Sequence, residues 1–267
     1  MTSYPLESSD RERARLSSQA QLLRPLTERL LRNAGAREGM SILDLGTGAG
    51  DVALLAAEIV GPAGRVVGMD RDPDHLGHAR NRATEAGFTH VTFVQGDINA
   101  PPSDSPFDIA VGRYVLMYQS DPVATVRSVA GVVKPGGAIA FHELNMHDAA
   151  RGDIWPQPPG GGGDASQSMG AGILKGVQNH MGVRLPEVFL AAGLDISDWG
   201  FEGASPMGPM TARKEGMARV LEAARKQRRA LGQDVSDLEK FEDWWKNAPA
   251  YGAVLQPPGV LGWARRR

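Results

Sequence analysis

The chain has 267 residues, 42% hydrophobic and 22% charged, with a net charge of −2 and no cysteine. That is apolar material for one sizeable core and too little net charge to gather polyanions, and it excludes a disulfide scaffold, a thiolate metal centre and a cysteine nucleophile. No apolar run approaches the roughly 20 residues of a membrane helix, and Met1 to Arg15 is polar. The expectation is a soluble, cytoplasmic protein with no metal, no membrane and no nucleic acid as partner.

Ser9 and Glu12 form a capping box ahead of Leu16, Leu22 and Leu23, which predicts a helix start. Pro25 interrupts it, and Leu26, Leu30 and Leu31 carry a second short apolar face to Gly35, so 1–35 reads as a helical arm. From residue 36 to 143 the pattern becomes short apolar runs alternating with helical segments. Ser41 to Leu45, Arg65 to Met69, Val91 to Val94, Asp108 to Gly112 and Ala138 to His142 are the predicted strands, mostly continuous runs suited to a sheet covered on both faces. Asp72-Pro73 and Asp121-Pro122 each place a capping carboxylate before a proline at the first helical position, and Gly61 and Gly87 stand where left-handed helix ends belong.

Residues 144–183 break the alternation with Pro156, Pro158, Pro159 and the run Gly160 to Gly163. The segment is too long for an ordinary connection, and two readings stand: a lid insertion over the site, or a surface insertion without fixed structure. The core resumes over 184–203, with a helix from Arg184 to Ala192 ended by Gly193 and a strand from Leu194 to Phe201. Residues 204–258 read as a helical cap insertion. It holds a basic helix from Thr211 to Leu231, whose interspersed Glu215 and Glu222 mark a solvated face, and a second helix opened by Ser236 and Glu239. Phe241, Trp244 and Trp245 share one face of that helix and suit either core packing or a substrate wall. Residues 259–267 supply a last strand, Gly259 to Ala264, expected at an edge. The fold class is α/β, a doubly wound, mostly parallel, seven-stranded Rossmann-like sheet in a single domain with an arm, a lid and a cap.

The strongest local signal is Ile42-Leu43-Asp44-Leu45-Gly46-Thr47-Gly48-Ala49-Gly50, a strand ending in a glycine-rich turn that opens a helix. Gly46 and Gly48 permit torsions and a close ligand approach that a Cβ would prevent. A dinucleotide fingerprint would need a third glycine where Asp51 stands. Asp44, just ahead of the glycines, suits a ligand bearing a cationic amine.

These residues resemble the class I S-adenosylmethionine-dependent methyltransferases, over 36–143 and more loosely to 201. The turn from Asp44 to Gly50, with Gly46, Thr47 and Gly48, looks like that family's first motif, which holds the methionine part of the cofactor. Val66-Val67-Gly68-Met69-Asp70 looks like its second strand, whose final acid takes the two ribose hydroxyls. Gln95-Gly96-Asp97-Ile98 resembles the segment where the acid accepts from the adenine amino group and the next residue packs on the ring. Lys134-Pro135-Gly136-Gly137 resembles the turn before the fifth strand. Arg71 and Arg113 are counted with the cofactor residues. The resemblance implies methyl transfer to a small molecule, of secondary-metabolite type, with S-adenosylmethionine consumed and S-adenosylhomocysteine released; a homodimer is compatible with it. The long separation before Gly259 departs from the family's short final hairpin.

Methyl transfer is an in-line displacement, so positioning and water exclusion supply most of the catalysis, and a base is needed only if the acceptor carries a proton. Candidates are His142 and Glu143 at the end of the fifth run, His147 at the lid's start, and Tyr114 and Tyr118 after the fourth. Histidine has the most suitable ordinary pKa. His180 reads as a surface histidine. Two other functions stay open: a non-methylating cyclisation or rearrangement on the same cofactor fold, and a nicotinamide oxidoreductase.

Overall fold

The computed structural model describes residues 23–103, 106–145, 178, 180–204, 207–209, 232, 234–247, 253–255 and 259–267, with 221–222, 225–226 and 229 among them. They fall into two units, one built from 23–144, 181–204 and 259–267, the other from the described residues of 145–180 and 205–258.

The first unit is a seven-stranded sheet between helices. Its strands are β1 (Ser41–Leu45), β2 (Arg65–Asp70), β3 (Val91–Gln95), β4 (Phe107–Arg113), β5 (Val133–Leu144), β6 (Asp195–Ala204) and β9 (Gly259–Arg265), in the order β3-β2-β1-β4-β5-β9-β6. The pairs from β3 to β5 are parallel, and β9 runs antiparallel to both β5 and β6. Every predicted strand is present, and the apolar runs of β1, β2, β4 and β5 are buried on both faces as their composition requires. Helices α2 (Asp51–Val60), α3 (Pro73–Glu85), α4 (Pro122–Val132) and α5 (Met181–Ala191) connect or cover them. The two Asp-Pro starts behave as read: Asp72 accepts from the amides of Asp74 and His75, and Asp121 from that of Ala124.

Four expectations are corrected. The last strand is interior, because β9 pairs with β5 on one side and β6 on the other: Gly200 of β6 leaves room for the Trp263 ring beside it, and Leu185 and Phe189 of α5 close on Gly262. β5 is longer than expected, since Lys134-Pro135-Gly136-Gly137 lies within it. Val133 pairs with Phe107 and Ala138 with Ile109, so the four residues between bulge opposite Asp108, with Gly136 at φ 75°. α5 starts at Met181, three residues before Arg184, because Met181 and Gly182 pack onto β9, where a Cβ on Gly182 would meet Val260 at 2.7 Å. Pro25, finally, lies inside helix α1 (23–33), not ahead of it.

α1 is part of the core. Leu23, Leu30 and Leu31 are fully buried, and Leu30 and Leu31 join the cluster that α2 and the sheet share. Arg265 of β9 donates to the carbonyl of Ala34 at 2.8 Å, satisfying the end of α1 from the far end of the chain.

In the second unit, β7 (Met207–Pro209) pairs antiparallel with β8 (Ala253–Leu255), a ribbon with no counterpart in the sequence reading. α6 (Ser236–Asn247) is the helix expected there, and Glu242 on it pairs with Arg225 and with Lys246. The side chains of Phe241, Trp244 and Trp245, most of the Thr211 to Leu231 segment, His147 and most of the 144–183 insertion lie outside the described residues.

Leu30→Ala is expected to cost about 2–5 kcal/mol, the range for deleting a fully buried leucine. The loss should be read as a lower urea midpoint at unchanged slope.

Candidate functional site

β1 and β4 are neighbours whose onward connections leave in opposite directions, through α2 to β2 and through α4 to β5. The crevice beyond their carboxyl ends is where open α/β sheets take ligands. The turn after β1 enters it. Thr47 N–H donates to Met69 O and Gly50 N–H to Thr47 O, so residues 46–50 curl back over the end of β2. Gly46 and Gly48 have φ of 63° and 53°. A Cβ added at Gly48 would meet nothing within 4 Å, while one at Gly46 would meet the Val115 methyl at 3.1 Å. The backbone at Gly48 therefore faces open space, a cradle that a ligand can approach closely.

Three predicted acids behave differently from one another. Asp70, at the end of β2, accepts from Gly48 N–H on one oxygen (2.8 Å) and from Asp72 N–H on the other (3.0 Å). A carboxylate oxygen has two acceptor directions, so one on each oxygen remains, which matches two vicinal hydroxyls. Asp97 is exposed, with one oxygen accepting from both the backbone and side-chain N–H of Asn99, each at 2.9 Å, and Ile98 beside it is buried. Asp44 departs from its expected part. It is turned inward, 1% exposed, and accepts from the Thr47 hydroxyl at 2.6 Å. Burial pushes its pKa up to about 7 against the pull of Thr47, Arg113 and the Ala53 amide. Asp44 and Thr47 thus brace the turn from beneath.

Arg113 is also committed. It donates to Thr27 of α1 at 3.2 Å and stands 3.5 Å from Asp51, whose other oxygen is held by Arg82 at 2.7 Å. Arg82 also reaches Ala49 O at 2.6 Å. The amino end of α2, where a dinucleotide's pyrophosphate would sit, already carries the Asp51 carboxylate. This disfavours the nicotinamide reading. Arg71 is exposed, and its carbonyl accepts from Gln95 at 3.0 Å.

The strand-five candidates are displaced from the role of base. His142 is fully buried, its ring 4.9 Å from that of Tyr114 and its Nε2 against Gly259, and neither ring nitrogen has a hydrogen-bond partner among the described residues. Burial, aided by Arg113, pulls its pKa down to about 3, so it is neutral and a poor proton acceptor near neutrality. Glu143 is also fully buried. Its carboxylate accepts from the amides of Val115 (2.8 Å), Leu116 (2.7 Å) and Met117 (3.3 Å), the start of a 3-10 turn at Leu116–Tyr118. Burial raises the Tyr114 phenol above its ordinary pKa. Tyr118, half-buried, closes the turn through its amide to Val115 O at 3.2 Å.

Two features were missed by sequence reasoning. One is the set of successive amides at 115–117; the other is Asn99, which ties Asp97 to Gln119, Thr125 and Ser128. An Asp two residues ahead of an Asn was a readable Asx-turn signal. The amides carry no side-chain signal at all.

Residues 36–157 match the family described as a methyltransferase domain. The ubiquinone/menaquinone biosynthesis C-methyltransferase of Shewanella woodyi is 35% identical over 125 residues, 45% of this chain and 50% of that protein. The aklanonic acid methyltransferase of Streptomyces sp. strain C5 is 34% identical over 119 residues, 44% of this chain and 54% of that protein. The chain thus spans about half the length of these curated relatives. Among solved structures, the 4+2 cyclase SpnF superposes with a TM-score of 0.56 at 22% identity, over 91% of this chain and 80% of that one, a likeness of fold.

The raised pKa of Asp44 has a stability consequence. A carboxyl whose pKa is higher folded than unfolded contributes stability that is present below about pH 4 and lost as pH rises through about 7. Asp44→Asn removes that loss. The variant should melt above wild type at pH 8 and level with it at pH 4, in thermal scans of the ligand-free protein.

Proposed function

We propose that this chain, a member of the class I S-adenosylmethionine-dependent methyltransferases, transfers a methyl group to a small organic acceptor. The observation that carries the reading is the cradle at Gly48: open backbone beside an acid, Asp70, with one acceptor direction left on each oxygen. The residues present fit the cofactor. Asp70 would take the ribose hydroxyls, the Gly46 to Gly48 backbone the methionine part, Asp97 the adenine amino group and Ile98 the face of the ring. Arg113 is the largely buried cation at this edge and the partner we assign to the cofactor's carboxylate; Arg71 has an outer, screened place. When bound, S-adenosylmethionine supplies a methyl group on a positively charged sulfur and is released as S-adenosylhomocysteine.

Catalysis then rests on holding the acceptor in line and excluding water. Neutral, buried His142 and fully buried Glu143, held by three amides, leave Tyr118 as the one remaining group of the predicted catalytic set. We therefore assign proton removal to Tyr118 where the acceptor carries a proton, and to no residue where the acceptor arrives nucleophilic. Support for a small acceptor comes from the two relatives whose names specify a quinone-pathway C-methylation and an aklanonic acid methylation. A secondary-metabolite acceptor is the finer form of the same proposal.

The test is mass spectrometry of a metabolite extract incubated with the protein and methyl-labelled cofactor. One acceptor should gain one labelled methyl. A product of unchanged mass would instead make the protein a catalyst of rearrangement. In calorimetry, Asp70→Ala should weaken S-adenosylhomocysteine binding by about 1.5–3 kcal/mol, the range for hydrogen bonds to a charged group.

A further inference from the structure

The segment 114–119 touches both halves of the cofactor seat. At one end, the Val115 methyl packs against Gly46 of the glycine turn, 3.1 Å from where a Cβ would stand. At the other, the Gln119 carboxamide accepts from Asn99 Nδ2 at 3.2 Å, and the same Nδ2 donates to Asp97 at 2.9 Å. Gln119 also donates back to Val115 O at 3.4 Å, so the segment is closed on itself. Asn99 is anchored independently by Thr125, which donates to its side-chain oxygen at 2.6 Å, and by Ser128, which donates to its carbonyl at 2.8 Å.

A turn of this kind does not hold its shape without help. Tyr114 takes φ 58°, the only non-glycine with positive φ among the described residues, and the amides of 115–117 point into a buried space with no carbonyl to receive them. One group receives all three. Glu143 gathers the amides on its two oxygens, and the Tyr114 amide is fixed separately by His142 O at 2.8 Å.

We infer that residues 114–119 form a strut shared by the methionine and adenine sides of the cofactor seat, and that Glu143 is the positioning residue that sets it. The inference rests on the cofactor reading above and adds a coupling to it. Ordering the adenine loop through Asp97 and Asn99 orders the amides at 115–117, and their carboxylate partner holds Val115 against Gly46. Among the described residues, the titratable groups beside Glu143 are Tyr114, whose pKa burial and the Glu143 charge raise, and neutral His142 on its own strand, with Arg113 acting on both of them. Val260, registered opposite on β9, and Gly182 of α5 carry no charge. Burial raises the Glu143 pKa to about 7 against the pull of the three amides, which favour the ionised form. A ligand that needs the strut set favours the ionised form, and its affinity rises as pH increases through about 7.

The experiment measures S-adenosylhomocysteine affinity by calorimetry from pH 6 to 8 and amide exchange at 115–117, for wild type, Glu143→Gln and Asn99→Ala. In wild type the ligand should slow exchange at 115–117. Glu143→Gln presents one acceptor oxygen and an opposed N–H, and should bind about tenfold more weakly with a flatter pH profile. Asn99→Ala removes an exposed side chain whose buried partner, the Thr125 hydroxyl, keeps the Asp121 carbonyl as an acceptor. It should leave the ligand-free melting temperature unchanged, weaken binding severalfold and abolish the ligand-induced protection at 115–117. Protection at 115–117 in Asn99→Ala equal to wild type would overturn the strut even if Glu143→Gln failed to fold. Wild-type affinity and pH profile in Glu143→Gln would do the same. A wild type that binds no S-adenosylhomocysteine at any pH would overturn the cofactor reading itself, and the strut with it, a result visible before either variant is compared.

Discussion

Two carboxylates buried away from water, Asp44 and Glu143, set the terms on which the carboxyl edge of this sheet can exist. Parallel strands end in turns whose amides have no ladder partners, and here each turn rests on a carboxylate buried beneath it. Asp44 supplies the acceptor for the glycine turn after β1 through Thr47, and Glu143 supplies it for the turn after β4 through three amides. Neither carboxylate has an ion-pair partner within the salt-bridge distances found among the described residues, so burial raises the pKa of each to about 7, and its amides and hydroxyl only partly offset that cost.

The scaffold was legible because its signals are local and backbone-driven. A proline at the first helical position after an aspartate has one good use, and Asp72 and Asp121 both show it. A strand followed by Gly46 and Gly48 has few alternatives, since the positive φ at each excludes most other residues. What was not legible depends on partners distant in sequence. The interior place of β9 is decided by Gly200 and Gly262 meeting Trp263 and α5, and nothing in Gly259 to Ala264 announces which neighbours it will find. The same holds for Glu143. Its residue type suggested a base, but its partners are amides 26 to 28 positions away, which no pattern of side chains encodes.

Histidine 142 shows how position can reverse a role suggested by residue type. At the end of β5 it sits beside the crevice in sequence terms, yet the sheet turns it onto Tyr114 and the backbone of Gly259. A protonated imidazole there would lie in a dry site close to Arg113, so the neutral form wins and the group gives up its usefulness as a base. Strand alternation, which sends His142 and Glu143 to opposite faces, makes one residue a packing ring and the other an anchor.

The charges left at the edge also bear on why a cationic cofactor suits it. Asp51 is neutralised by Arg82 and Arg113 at the amino end of α2. Asp70 is half-buried at the end of β2, while Asp44 lies fully buried beneath the turn, with Thr47, Arg113 and the Ala53 amide opposing the effect of burial. Once ionised, as pH rises above about 7, Asp44 adds negative charge on the side of the glycine turn, and its dry surroundings let that charge act over several ångströms. In the proposed reaction the sulfur is cationic before transfer and neutral afterwards, so the same field holds the methyl donor more firmly than the spent product. On that proposal, the edge that was costly to fold, two carboxylates out of water, would favour binding of the cationic donor over its neutral product.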